Sequence, residues 1–153
     1  EDVYIPLDRT NWFVFGEGDT LLFKYNTSAV DTYVIADTST YYATINSDRI
    51  WEEVLEVSYE GTIQCDNCPI TEFHRSASVV SVHGKIYSNS FEYSKTSPIE
   101  YQLGDTVLQQ IYVLDDLPID LPETAIKTVY YSDVFGIIRY DLFDDRVYEL
   151  QLE

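Results

Sequence analysis

Methionine is absent from this 153-residue chain, and cysteine and histidine occur only twice each. The first residue is Glu1, with no initiator, as in a processed or trimmed chain; a signal peptide or lipidated cysteine would lie upstream of it. Apolar runs are only a few residues long, so no segment reads as a transmembrane helix. Positive charge is scarce too: nine Lys and Arg face 27 Asp and Glu, for a net charge of −18. Groove or backbone binding to nucleic acid needs clustered cations and is excluded. Adhesion to anionic lipid headgroups is disfavoured for the same reason. Only six Gly and five Pro are present, and no linker-like stretch interrupts the chain. Residues 1–153 therefore read as a single β-rich domain.

Catalytic signatures are also missing. There is no Gly-x-Ser-x-Gly and no Ser-x-x-Lys, and Gly16-x-Gly18 is followed by Asp19, which would repel a phosphate. His74 and His83 are the only imidazoles available as bases. A two-carboxylate glycosidase is disfavoured by a short chain without cleft-forming insertions. No catalytic residue and no cofactor is expected, and the protein reads as a non-enzyme. Asp115-Asp116 and Asp144-Asp145 offer at most weak surface Ca²⁺ ligands, because the alternating acids of an EF-hand are absent.

What is present is aromatic: fourteen Tyr, seven Phe and two Trp in a chain that is 45% hydrophobic, enough to build a core despite the acidity. Strand signals dominate. Thr20–Tyr25 and Thr32–Ile35 are β-rich runs separated by the turn-like Asn26-Thr27-Ser28. From Val54 to Tyr59 the residues alternate, with Leu55, Val57 and Tyr59 on one face and Glu56 and Ser58 on the other. Ser78–Val82, Lys85–Tyr93 and Val107–Leu114 continue the pattern. Gly136–Leu142 and Arg146–Leu152 flank Phe143-Asp144-Asp145 as a terminal hairpin. Helix is scarce; Ser47–Glu53 is the one stretch predicted to start with a cap and run a turn or two. Asp115–Pro122, with prolines at 118 and 122, reads as an exposed loop. Nine or ten short strands predict an antiparallel sandwich or partly closed barrel.

Cys65 and Cys68 enclose Asp66-Asn67, a pair suited to a tight turn, and a short-range disulfide is the favoured reading. A redox-active pair lacks a surrounding βαβ pattern, and Pro69 follows directly. Cys-x2-Cys-x5-His-x8-His offers four zinc ligands at a spacing of no familiar module, and strand alternation can set the histidines on opposite faces. No metal site is assigned on this basis.

Charge is uneven. Residues 1–60 carry 12 acidic and 3 basic side chains, residues 61–99 carry 3 and 3, and residues 100–153 again 12 and 3. The neutral middle reads either as a docking patch spared from acid or as a set of more central strands. It also argues against a DNA mimic, which needs a regular carboxylate array.

Two stretches carry a resemblance. Gly16–Asn26 with Asp31–Ile35, and Tyr130–Tyr140 with Tyr148-Glu149-Leu150, resemble the opening and closing hairpin of small secreted Bacteroidetes-type envelope lipoproteins of unknown function. Their mark here is an aromatic pair before a Gly-apolar-apolar-Arg-Tyr strand, and the match spans about a third of the chain. The resemblance implies a secreted, lipid-anchored β domain at the outer membrane or cell surface, with Glu1-Asp2 matching the acidic patch after the lipidated cysteine. It also implies O-glycosylation at Asp-Thr-apolar triplets, here Asp19-Thr20-Leu21 and Asp105-Thr106-Val107, which makes Thr20 and Thr106 the acceptors.

Two roles follow. The first is an accessory or binding subunit of an envelope assembly, its partner presenting a basic or neutral docking surface, with membrane contact only through an anchor or partner. Tyr enrichment suits interfaces, and the charge suits basic partners. The second is a carrier that holds a lipid or other apolar ligand in a half-open barrel.

Overall fold

The computed structural model describes residues 1–26, 28–45, 48–115 and 122–152. Twelve strands form it: β1 (Val3–Ile5), β2 (Thr20–Lys24), β3 (Val30–Thr44), β4 (Ile50–Cys65), β5 (Ile70–Arg75), β6 (Val79–Gly84), β7 (Ser88–Glu92), β8 (Ile99–Leu103), β9 (Thr106–Asp115), β10 (Ile126–Ser132), β11 (Gly136–Leu142) and β12 (Val147–Leu150). Eleven of them pair antiparallel in the order β7-β6-β5-β4-β3-β2-β12-β11-β10-β9-β8, a sheet curled into a half-barrel. β1 lies off this path and pairs parallel with the start of β4. The predicted all-β class is therefore what the chain adopts.

Strand alternation places the core. In β4, Leu55, Val57 and Tyr59 are buried while Glu56 and Ser58 face outward. Leu21 and Phe23 of β2 and Ile138, Tyr140 and Leu142 of β11 fill the same interior. The inside is packed with large rings, among them Tyr33, Tyr131, Tyr140, Tyr148, Phe23 and Phe73, all fully buried. These rings meet edge-on or offset, as Phe73 and Tyr131 do at 5.2 Å and 71°.

Curling so long a sheet requires local bends. The β3–β4 ladder slips between Ile35 and Asp37, leaving Ala36 as an extra residue. In β9 the pairing with β8 slips between Ile111 and Leu108, and Gln110 takes a left-handed φ of 57°. The β10–β11 turn depends on Gly136, at φ 72°, where a Cβ would lie 2.7 Å from Tyr59 Oη and 2.9 Å from Phe13. No larger residue fits that approach.

The two sides of the sheet meet through side chains. From β7, Phe91 stacks on Tyr112 at 4.5 Å. Asn89 Nδ2 donates to the Asp115 carbonyl at 3.3 Å, and the Tyr87 hydroxyl donates to the Leu114 carbonyl. Across the end of this half-barrel runs the N-terminal segment. Val3 N–H donates to the Arg49 carbonyl, Leu7 and Phe13 are buried in the core, and Val14 N–H reaches the Val134 carbonyl.

Four expectations need correction. The predicted helical turn at 47–53 is strand from Ile50 onward, because this stretch is paired with β3 on one side and β1 on the other; Ser47 lies outside the described residues. The neutral middle does not supply central strands: β5, β6 and β7 are one flank of the sheet. Among the described residues strands number twelve, because β1, β5 and β8 are short segments without long alternation. Lys85–Tyr93 is strand only over Ser88–Glu92. Of the predicted proline loop, residues 116–121 lie outside the described residues.

Candidate functional site

β3 and β4 are 15 and 16 residues long, and β3 loses its buried pattern beyond Ile35. Their far ends carry a cluster of exposed apolar side chains. Tyr42 pairs with Glu53 and Thr44 with Trp51 across the ladder, while Tyr4 of β1 pairs with Trp51 from the other side. Strict alternation therefore turns Tyr4, Tyr42 and Trp51 to one face. Tyr4 stacks on Trp51 at 6.0 Å and 15°, and meets Tyr42 edge-on at 5.4 Å. Val3, Ile5 and Ile50 around them are exposed, and Tyr4 itself is 57% exposed. Asp2 accepts a 3.3 Å hydrogen bond from Trp51 Nε1. The result is a three-ring apolar ledge with acid at its rim.

A polar strap fixes the ledge to the body. Glu53 is buried and accepts from the Leu7 amide at 2.9 Å and from both terminal nitrogens of Arg9, at 2.6 and 2.8 Å. The Arg9 hydrogen bonds, aided by the Leu7 amide, hold the Glu53 carboxyl at about 2, well below the usual carboxylate range. Arg9 in turn lies over Trp12 at 4.3 Å. Next to the strap, Arg75 is buried, donates to the Asn11 carbonyl at 3.1 Å and stands 3.7 Å from Asp133. Asp133 also accepts from the Tyr93 hydroxyl at 2.6 Å, and burial followed by the nearby Asp133 charge pushes that phenol upward.

Inside the barrel, a chain of donors ends on a buried carboxylate. Ile70 N–H donates to Tyr33 Oη, the Tyr33 hydroxyl to Tyr140 Oη, and the Tyr140 hydroxyl to Asp31. Asp31 also accepts from the Asn67 amide at 2.6 Å. Burial raises the Tyr33 and Tyr140 phenols, which keeps both as donors. Asp66 accepts from Arg146 and from the Tyr148 hydroxyl. The 65–68 turn is thus tied to the core.

Cys65 and Cys68 are disulfide-bonded in that turn, and Gly61 passes so close that a Cβ would lie 3.0 Å from Cys68 Cβ. As a disulfide the sulfurs are not thiolate ligands, so the four-ligand Cys-Cys-His-His arrangement does not form. Thr20 and Thr106 are exposed at the first positions of β2 and β9, each after a Gly-x-type turn. Asp144 accepts from Arg146 at 2.9 Å and Asp115 from the Thr128 hydroxyl at 2.6 Å; Asp116 lies outside the described residues.

The two histidines, in contrast, share a face. β5 and β6 pair with Glu72 opposite His83 and His74 opposite Ser81, so the outward-facing set includes both imidazoles. Sequence alternation missed this because the turn at 76–78 sets the register, and the turn length cannot be read from period two alone. The ledge was missed for a related reason: adjacent Tyr41 and Tyr42 must face opposite sides, but only the pairing tells which rings are left uncovered. Comparison with known protein families, characterised proteins and solved structures finds no match.

Proposed function

We propose that the protein is a non-enzymatic binding subunit of a cell-envelope or cell-surface assembly, held at the membrane by a lipid anchor upstream of residue 1 or by its partner. The observation that carries this reading is the ledge of Tyr4, Tyr42 and Trp51, bordered by exposed Val3, Ile5 and Ile50. Clustered exposed aromatics of this kind anchor protein interfaces, where rigid rings bury large area at small entropic cost. β1 borders the ledge as a short strand paired with β4, so a partner chain can extend the sheet there while its side chains cover the rings. Acid at the rim and a net charge of −18 select a basic or neutral partner surface. The envelope location rests on the sequence resemblance.

A carrier of an apolar ligand calls for a hollow interior. Here Tyr33, Tyr131, Tyr140, Tyr148, Phe23 and Phe73 occupy that space, which favours the binding subunit.

The test is native mass spectrometry of the protein released gently from its host envelope, alongside the variant Tyr4→Ala/Trp51→Ala. Wild type is expected to carry a partner of fixed stoichiometry, with an on-rate that falls as salt rises, and the variant to lose it while melting within a few degrees of wild type. A partner retained by the variant moves the interface elsewhere and overturns the ledge assignment. A bare chain, or one carrying only a small-molecule mass, overturns the subunit reading.

A further inference from the structure

The outer face of the β4–β5–β6 flank gathers ligand atoms from three strands. Glu72 and His74 lie two residues apart on β5 and so share a face, and His83 stands opposite Glu72 on β6. One ligand atom from each lies within 4.8 Å of the others. Glu56 of β4 pairs with His74 and brings Oε1 to 3.7 Å from His74 Nε2. The imidazole rings are 5.2 Å apart. Glu72 Oε2 lies 2.6 Å from His74 Nε2, and Ser88 Oγ stands 3.2 Å from His83 Nδ1, a contact that orients the second ring. None of these groups belongs to the ledge or to the buried networks.

We propose that Glu72, His74 and His83, with Glu56 beside them, form a Zn²⁺ site on the outer face of the sheet. Two imidazoles and one or two carboxylates are the donor set a borderline divalent ion prefers, whereas Ca²⁺ and Mg²⁺ require oxygen cages. Tetrahedral zinc with bonds of about 2.1 Å sets its ligand atoms about 3.4 Å apart, so a cluster already within 4.8 Å needs only rotamer adjustment. On binding, Zn²⁺ replaces the hydrogen bond between His74 Nε2 and Glu72, and His74 ligates through Nε2 as the neutral imidazole with its proton on Nδ1. An ordinary ion pair accounts for His74 between Glu72 and Glu56, but not for a second imidazole converging on the same point. The side chains of Glu56, Glu72 and His74 are 29–35% exposed, so the ion reaches them from solvent and keeps an open coordination position. A shallow cleft of about 200 Å³, lined by Tyr41, Val54, His74 and Ser81, adjoins that position.

The experiment uses the full chain, disulfide intact, stripped with chelator and titrated with Zn²⁺ by calorimetry. One ion per chain is expected, with a rise in melting temperature and with ring ¹⁵N signals of both histidines shifting together; Ca²⁺ and Mg²⁺ are expected to leave those signals in place. His74→Ala, His83→Ala and Glu72→Gln should each weaken binding at least tenfold, and Asp105→Asn should leave it unchanged. Zn²⁺ binding of equal strength in the histidine variants, or no histidine shift at millimolar Zn²⁺, overturns the site. Should a variant fail to fold, the wild-type histidine signals decide alone.

Discussion

Two tyrosine hydroxyls in the same core have opposite consequences for stability. Tyr140 donates to the buried Asp31 carboxylate, whereas Tyr131 Oη is buried with no hydrogen-bond partner among the described residues. A buried hydroxyl without a partner keeps its desolvation cost and gains nothing in return. Tyr131→Phe is therefore expected to stabilise the protein by about 1 kcal/mol, raising Tm by about 3 °C. Tyr140→Phe removes a donor from a buried charge and is expected to destabilise by about 2 kcal/mol. Paired thermal melts measure both, and equal effects of the two variants would contradict the donor chain. At this scale the sequence is mute: both residues are Tyr on a β-run, and only the position of Asp31 separates them.

At the scale of elements, the N-terminal strap is the segment most sensitive to pH. Its anchor, Glu53, has a carboxyl held at about 2 by Arg9, against 4.5 for an unperturbed one. A folded-state value below the unfolded one means stability that is present above pH about 4.5 and is lost as pH falls toward 2. Acidification over that window should release the strap first. Amide exchange at Leu7, whose N–H donates to Glu53, is expected to accelerate before that of Val57 in the core, and Glu53→Gln should remove the pH dependence. Uniform acceleration of both amides would show that the strap does not move on its own. The strap escaped the sequence reading because β1 has three residues and pairs with a strand almost fifty positions away. By contrast, the hairpin of β11 and β12 was legible, since its alternation is local and Asp145 suits the left-handed turn position it takes, φ 71°.

For the whole molecule, charge is the governing property. A net charge of −18 on 153 residues repels itself, and nine cations are too few to offset it. Raising NaCl from about 10 mM to about 0.5 M shrinks the Debye length from about 30 Å to below 5 Å. Melting temperature is therefore expected to rise by several degrees over that range, although Arg9–Glu53 and Arg139–Asp141 weaken slightly. A fall in Tm with salt would show that these pairs outweigh the long-range repulsion. The same field favours the approach of cations and basic surfaces over anionic ones.

Composition and alternation were enough for the all-β class and the terminal hairpin, because strand formation depends on period-two patterns over five or six neighbouring residues; sandwich and barrel share that local pattern, and only the strand order decides for the half-barrel. The cysteine spacing pointed to the turn in which the disulfide lies. What lay beyond the sequence was everything set by register between distant strands. The pairing of β3 with β4 decides that Tyr42 and Trp51 share an uncovered face with Tyr4. The pairing of β5 with β6 decides that His83 joins His74 rather than opposing it. A slip of one residue would turn each of these side chains to the other face, and the energy that forbids the slip comes from the packed rings of the core, not from the residues at the site.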